Sequence, residues 1–121
     1  MKKKLLLVDD DKGIRILYKG EFEDEGYEVM TAATGVEGLE IFKERRPDLV
    51  ILDLQMPEVD GIEVLRQMKE HDSSVPVILS TAYQDYKQDF AAWACEEYVA
   101  KSTNLDNLKI AVKKYIGKDV G

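Results

Sequence analysis

The sequence predicts an α/β fold, a doubly wound parallel sheet with helices on both faces, and three observations predict it. Short apolar runs alternate with longer segments of helical period five times along the 121 residues. Two of those runs, 5–8 (Leu5, Leu6, Leu7, Val8) and 49–52 (Leu49, Val50, Ile51, Leu52), are apolar at every position, the pattern of strands buried on both faces. Each of the two ends in acid, Asp9 and Asp10 after the first and Asp53 after the second.

The strands are predicted at 5–8, 27–32, 49–52, 75–79 and 98–100. In the first helix Ile14, Leu17, Tyr18 and Phe22 form the apolar stripe and Gly26 stops it. The second opens on Thr34 and Glu37, a capping-box spacing, and carries Leu39, Ile41 and Phe42 to the core before Pro47. The third starts near Asp60, with Ile62, Val64, Leu65 and Met68 as its apolar positions, and breaks at 72–74. A fourth spans about 84–94, with Tyr86, Phe90 and Trp93 on one side, and a fifth about 105–116, ended by Gly117. Five such β then α units give a doubly wound (βα)5 parallel sheet with right-handed crossovers, and the flavodoxin-like strand order 2-1-3-4-5 is expected for it. No linker or repeat interrupts the chain, so residues 1–121 are expected to form one domain.

In that order ligands bind beyond the carboxyl ends of strands 1 and 3, where the winding reverses. Asp9, Asp10 and Asp53 end those strands. Two unit charges about 4 Å apart repel by roughly 4 kcal/mol at an effective dielectric near 20, so three clustered aspartates call for protonation or a bound cation. A hard divalent ion with oxygen ligands, Mg²⁺, answers best. Aspartate is also a favoured helix cap, and one of Asp9, Asp10 and Asp11 is expected to serve as one. Strand 4 delivers Ser80 and Thr81 to the same edge and strand 5 delivers Lys101. Asp53 is then placed to attack a phosphoryl group and form an aspartyl phosphate, with the metal, Lys101 and Thr81 each taking one of the transferring oxygens.

Lys and Arg total 17 against 24 Asp and Glu, a formal net charge of −7. That balance disfavours nucleic acid and membrane surfaces as direct partners. The lone Cys95 excludes an internal disulfide and suits a reducing compartment. The basic start at 1–4 is followed by an apolar run that ends at Val8, too short for a signal core or a membrane span, so a cytoplasmic location is expected.

The segments Leu7-Val8-Asp9-Asp10-Asp11, Leu52-Asp53-Leu54-Gln55-Met56-Pro57 with Asp60-Gly61, Ser80-Thr81-Ala82 and Tyr98-Val99-Ala100-Lys101 resemble the receiver domain of bacterial two-component response regulators. The resemblance spans essentially the whole chain, and its weight comes from four short motifs in order at the right strand ends. It implies that Asp53 is the phosphoacceptor, that Asp9, Asp10, Asp53 and the backbone carbonyl of Gln55 bind Mg²⁺, that Lys101 binds the phosphoryl group, and that Thr81 and Tyr98 form a switch pair. It also implies Gln55 and Tyr83 as residues that tune hydrolysis. The phosphoryl donor it implies is a sensor histidine kinase or a histidine phosphotransfer protein. The output surface is the face made by the helix over 84–94, the strand over 98–100 and the helix over 105–116, read by an effector domain or protein. The state it implies is a monomer or a phosphorylation-dependent dimer, with no separate turnover substrate and so no enzyme in the ordinary sense.

Ser102 stands where most receivers have proline, which puts the path of the loop carrying Lys101 in question, and Ala94 and Glu97 stand where many carry glycine. Two other functions compete. An aspartyl-nucleophile phosphatase of the haloacid-dehalogenase type places a second aspartate two residues after the first, where Gln55 stands here. A degenerate receiver would act only as a docking module, for which Ser102 is the sole hint.

Overall fold

The structure is a computed structural model, and it describes residues 2–53, 61–81, 95–101 and 105–117, with the side chain of Thr81 outside that description. Its elements are β1 Lys4–Val8, α1 Lys12–Asp24, β2 Glu28–Ala32, α2 Gly35–Arg45, β3 Leu49–Leu52, α3 Gly61–His71, β4 Val77–Thr81, β5 Glu97–Ala100 and α4 Asp106–Ile116. The helix predicted over 84–94 lies outside the described residues, so α4 is the last of the predicted helices. All strand pairs are parallel, in the order β2-β1-β3-β4-β5. This is the flavodoxin-like order that the sequence predicts.

Because successive strand residues point to opposite faces, the all-apolar strands feed two separate cores. Leu6, Val8, Val50, Leu52, Val77 and Leu79 pack with Phe42 of α2 and Val64, Leu65 and Met68 of α3. On the opposite face Leu5, Leu7, Leu49, Ile51 and Ile78 meet Tyr18 and Phe22 of α1 and Leu108 and Val112 of α4. Leu17 does not join its predicted stripe and is 44% exposed. The buried row of α1 runs through Tyr18 and Phe22, one turn apart, with Ile14 partly covered, and Leu17 falls on its flank.

Helix ends follow local chemistry. Asp11 caps α1, its carboxylate accepting from the Ile14 amide at 3.2 Å. At α2 the Thr34 hydroxyl accepts from the Glu37 amide at 3.1 Å, while the Glu37 carboxylate reaches back to the amide of Ala33 at 2.7 Å, one residue beyond the predicted box. Gly26 turns the chain after α1 at φ 99°, a conformation that costs a side chain but not glycine. Strand β4 starts two residues later than predicted. Pro76 has no N–H to donate, and the carbonyl of Val75 is taken by the Lys69 ammonium at 2.9 Å. At its other end β4 extends to Thr81 by pairing Ser80 with Val99 and Thr81 with Ala100.

Helix α2 lies close on the sheet at Gly38, where an added Cβ would lie 2.8 Å from one methyl of Val8 and 3.1 Å from the other. Val8 is stiff at χ1 and fully buried, so neither methyl can swing away. Helix propensity alone favours alanine over glycine by about 1 kcal/mol. The clash is expected to reverse that preference, so that Gly38→Ala lowers stability by about 1–3 kcal/mol in urea unfolding.

Candidate metal and phosphoryl site

The strands that carry the acids remain paired right up to them. The amide of Asp9 donates to the Ala32 carbonyl at 3.0 Å, and that of Asp53 to the Val8 carbonyl at 2.9 Å. The two carboxylates therefore emerge side by side at the sheet's carboxyl edge. Asp9 and Asp53 are each 2% exposed, whereas Asp10 faces solvent. One carboxylate oxygen from each of Asp9, Asp10 and Asp53 lies within 4.8 Å of the others.

Lys101 crosses to this cluster from the end of β5. Its ammonium sits 2.9 Å from Asp9 Oδ2 and 3.0 Å from Asp53 Oδ2, with the side chain 20% exposed. Burial alone pulls the Lys101 pKa down, but the hydrogen bonds it donates to Asp9 and Asp53 and their negative charges outweigh it and hold the pKa above the ordinary lysine value. A raised lysine pKa contributes stability that is fully present below the unfolded value. It is lost only as pH rises through the folded one, so the bridge is intact at neutral pH.

Two further atoms of Asp9 are also held. Asp9 Oδ1 accepts from the Asp11 amide at 2.9 Å, and the Arg15 guanidinium donates to the Asp9 carbonyl at 2.8 Å. The sequence reading missed Arg15, whose only signal is a cation in the first turn of the helix that follows the acids.

The donor set fits a hard divalent cation. All three side-chain donors are carboxylate oxygens, the ligands that Mg²⁺ prefers. Among the described residues, three carboxylates less one ammonium leave an excess of two negative charges, which one divalent ion balances. Thr81 ends β4 beside Ala100, and its side chain lies outside the described residues. So do Gln55, Tyr83, Ser102 and Ala94. Tyr98 is partly buried against the core shared with α2 and α3.

Fold and site together define a doubly wound domain with an acidic, lysine-bridged pocket at its switch point. The chain matches the family model described as the response regulator receiver domain over residues 5–113, and it belongs to that family. It is 43% identical over 118 residues to sporulation initiation phosphotransferase F of Bacillus subtilis, covering 96% of this chain and 95% of that protein. Among solved structures it is similar to the response regulator TrrA of Thermotoga maritima in complex with Mg²⁺-BeF, at TM-score 0.91 and 46% identity, covering 94% of this chain and 99% of that one. It is likewise similar to a chain in the complex of the histidine kinase ThkA with TrrA, at TM-score 0.88 and 46% identity over 94% of this chain and 98% of that one. The chain is thus a receiver domain of two-component signal transduction.

Removing the bridging ammonium leaves two buried carboxylates facing each other. Lys101→Met is therefore expected to cost about 2–3 kcal/mol, a figure below that for a fully buried pair because Lys101 is partly exposed. Millimolar Mg²⁺ is expected to restore most of it, and urea unfolding with and without the ion measures both.

Proposed function

We propose that Asp53 accepts a phosphoryl group from the phosphohistidine of a sensor histidine kinase or histidine phosphotransfer protein, in a Mg²⁺-dependent step. The observation that carries this reading is the convergence of Asp9, Asp10, Asp53 and Lys101 at one sheet edge, with the Asp53 carboxylate buried. The kinship with a phosphotransferase, and with a receiver solved beside its kinase, supports the donor class.

In the transfer an Asp53 carboxylate oxygen attacks phosphorus, the P–O bond forms as the P–N bond breaks, and the released imidazole nitrogen takes the electron pair and a proton. Asp9, Asp10, Asp53 and the Gln55 carbonyl would hold Mg²⁺, which when bound would neutralise charge on the phosphoryl oxygens. Lys101 moves its hydrogen bond from the Asp53 carboxylate to a phosphoryl oxygen. The Thr81 hydroxyl donates to another, and its displacement draws Tyr98 inward.

That motion reshapes the surface of β5, α4 and the segment over 84–94, which an effector reads. To take such a switch from about 1% to 99% active, phosphorylation must favour the active state by roughly 5.5 kcal/mol. On this reading residues 1–121 act as one receiver domain that promotes its own phosphorylation and dephosphorylation and turns over no separate substrate. It is a monomer that dimerises, if at all, on phosphorylation. No described helix is long and apolar enough to cross a membrane. The single Cys95, which suits a reducing compartment, supports a cytoplasmic setting.

Incubation with acetyl phosphate and intact-mass analysis test the assignment. Wild type is expected to gain one phosphoryl group only when Mg²⁺ is present, and Asp53→Asn none. Labelling that survives the substitution, or that ignores Mg²⁺, contradicts it.

A further inference from the structure

Strand β4 carries a polar group that the scheme above leaves unused. Ser80 is 3% exposed, and its hydroxyl oxygen has no hydrogen-bond partner among the described residues. A buried hydroxyl left unpaired is costly, so such a group calls for an explanation.

Its position supplies one. Leu52 pairs with Leu79, so Ser80 lies level with Asp53 on the neighbouring strand, and it pairs with Val99 on the other side. By strand alternation it shares the face of Ile78, Val99 and Ile51, the face from which Asp53 and Lys101 also project. Lys101 stands at the end of β5 and reaches Asp53 at the end of β3, and β4 lies between those strands. Its methylene stem therefore passes over β4 on the face that carries Ser80.

The ammonium has three N–H groups. Two are used, on Asp9 and Asp53, and the third has no protein partner among the described residues.

We infer that Ser80 is a positioning residue for Lys101, its hydroxyl accepting the third ammonium N–H once Asp53 carries a phosphoryl group. The inference rests on Asp53 being the phosphoacceptor. When the Asp53 oxygen becomes esterified it loses the charge that now draws Lys101, and the ammonium must re-seat on the phosphoryl group. Ser80 offers the one buried side-chain acceptor left unsatisfied among the described residues. A hydrogen bond there fixes the direction of approach, and the hydroxyl gains the partner it lacks in the unphosphorylated chain.

The test uses the full chain with Mg²⁺ and beryllofluoride as the phosphoryl mimic, comparing wild type with Ser80→Ala, Ser80→Val and Ser80→Thr. Without the mimic, Ser80→Ala is expected to unfold at the same urea concentration as wild type or higher, because an unpaired hydroxyl has been removed. Its beryllofluoride affinity is expected to fall about tenfold, equivalent to about 1.4 kcal/mol. Thr, which keeps the hydroxyl, is expected to bind more tightly than the equally shaped Val. In a Lys101→Met background Ser80→Ala is expected to change the affinity no further.

Equal affinity for wild type and Ser80→Ala overturns the inference, as does a tenfold loss that persists without Lys101. A loss of stability in the unliganded Ser80→Ala chain that matches its loss of affinity assigns the hydroxyl a structural role instead. Failure of wild type itself to bind the mimic overturns the Asp53 reading and this inference with it, whereas wild-type binding with indifferent Ser80 variants sinks this inference alone.

Discussion

The mutual repulsion of Asp9, Asp10 and Asp53 is the constraint around which the rest of the molecule is arranged. Carboxylates whose oxygens lie within 4.8 Å of one another are stable neighbours only beside compensating charge. Lys101 provides part of it by bridging Asp9 and Asp53. One ammonium against three carboxylates leaves the pocket short of positive charge, and that shortfall makes it receptive both to a divalent cation and to chemistry that redistributes negative charge. A site satisfied by its own lysines would be more stable and would have no use for the ion.

The sheet bears the cost of holding these groups together. Strands β1 and β3 are buried on both faces, and each fully buried leucine, isoleucine or valine contributes about 1.5–3 kcal/mol. Several such residues immediately precede each acid, enough to outweigh a pairwise repulsion of roughly 4 kcal/mol. The same packing fixes register. A slip of one residue would send Asp53 to the opposite face and bring an apolar side chain into the pocket, and both faces are too closely filled to allow it. Gly38 shows how little slack exists on the α2 side, where helix backbone lies against Val8 one residue before Asp9.

What could be read from the sequence follows from which interactions are local. Asp9 and Asp53 were legible because the first charge after an all-apolar strand marks the chain leaving the core, and the doubly wound parallel sheet followed from the regular alternation of short runs and helical segments. A cap at one of Asp9, Asp10 and Asp11 and the stop at Gly26 were legible for the same reason, being settled within a few residues, and the structure puts the cap at Asp11. The start of β4 was not, since apolar Val75 looks like strand until Lys69, from another element, claims its carbonyl. Leu17 was misplaced because an apolar residue on the flank of a helix satisfies the same periodicity as one on its buried row. The double contact of Lys101 and the unmet hydroxyl of Ser80 depend on a side chain spanning an intervening strand, which no spacing along the chain encodes. Arg15 on the Asp9 carbonyl is of the same kind.

Three separated aspartates converge on one pocket suited to a single divalent cation. Calorimetric titration of the purified chain with Mg²⁺ tests it most directly. One ion per chain is predicted, with binding weakened severely by either Asp9→Asn or Asp53→Asn, although 43 residues stand between the two positions. Absence of Mg²⁺ binding in the folded wild type, or binding that neither substitution diminishes, would contradict it.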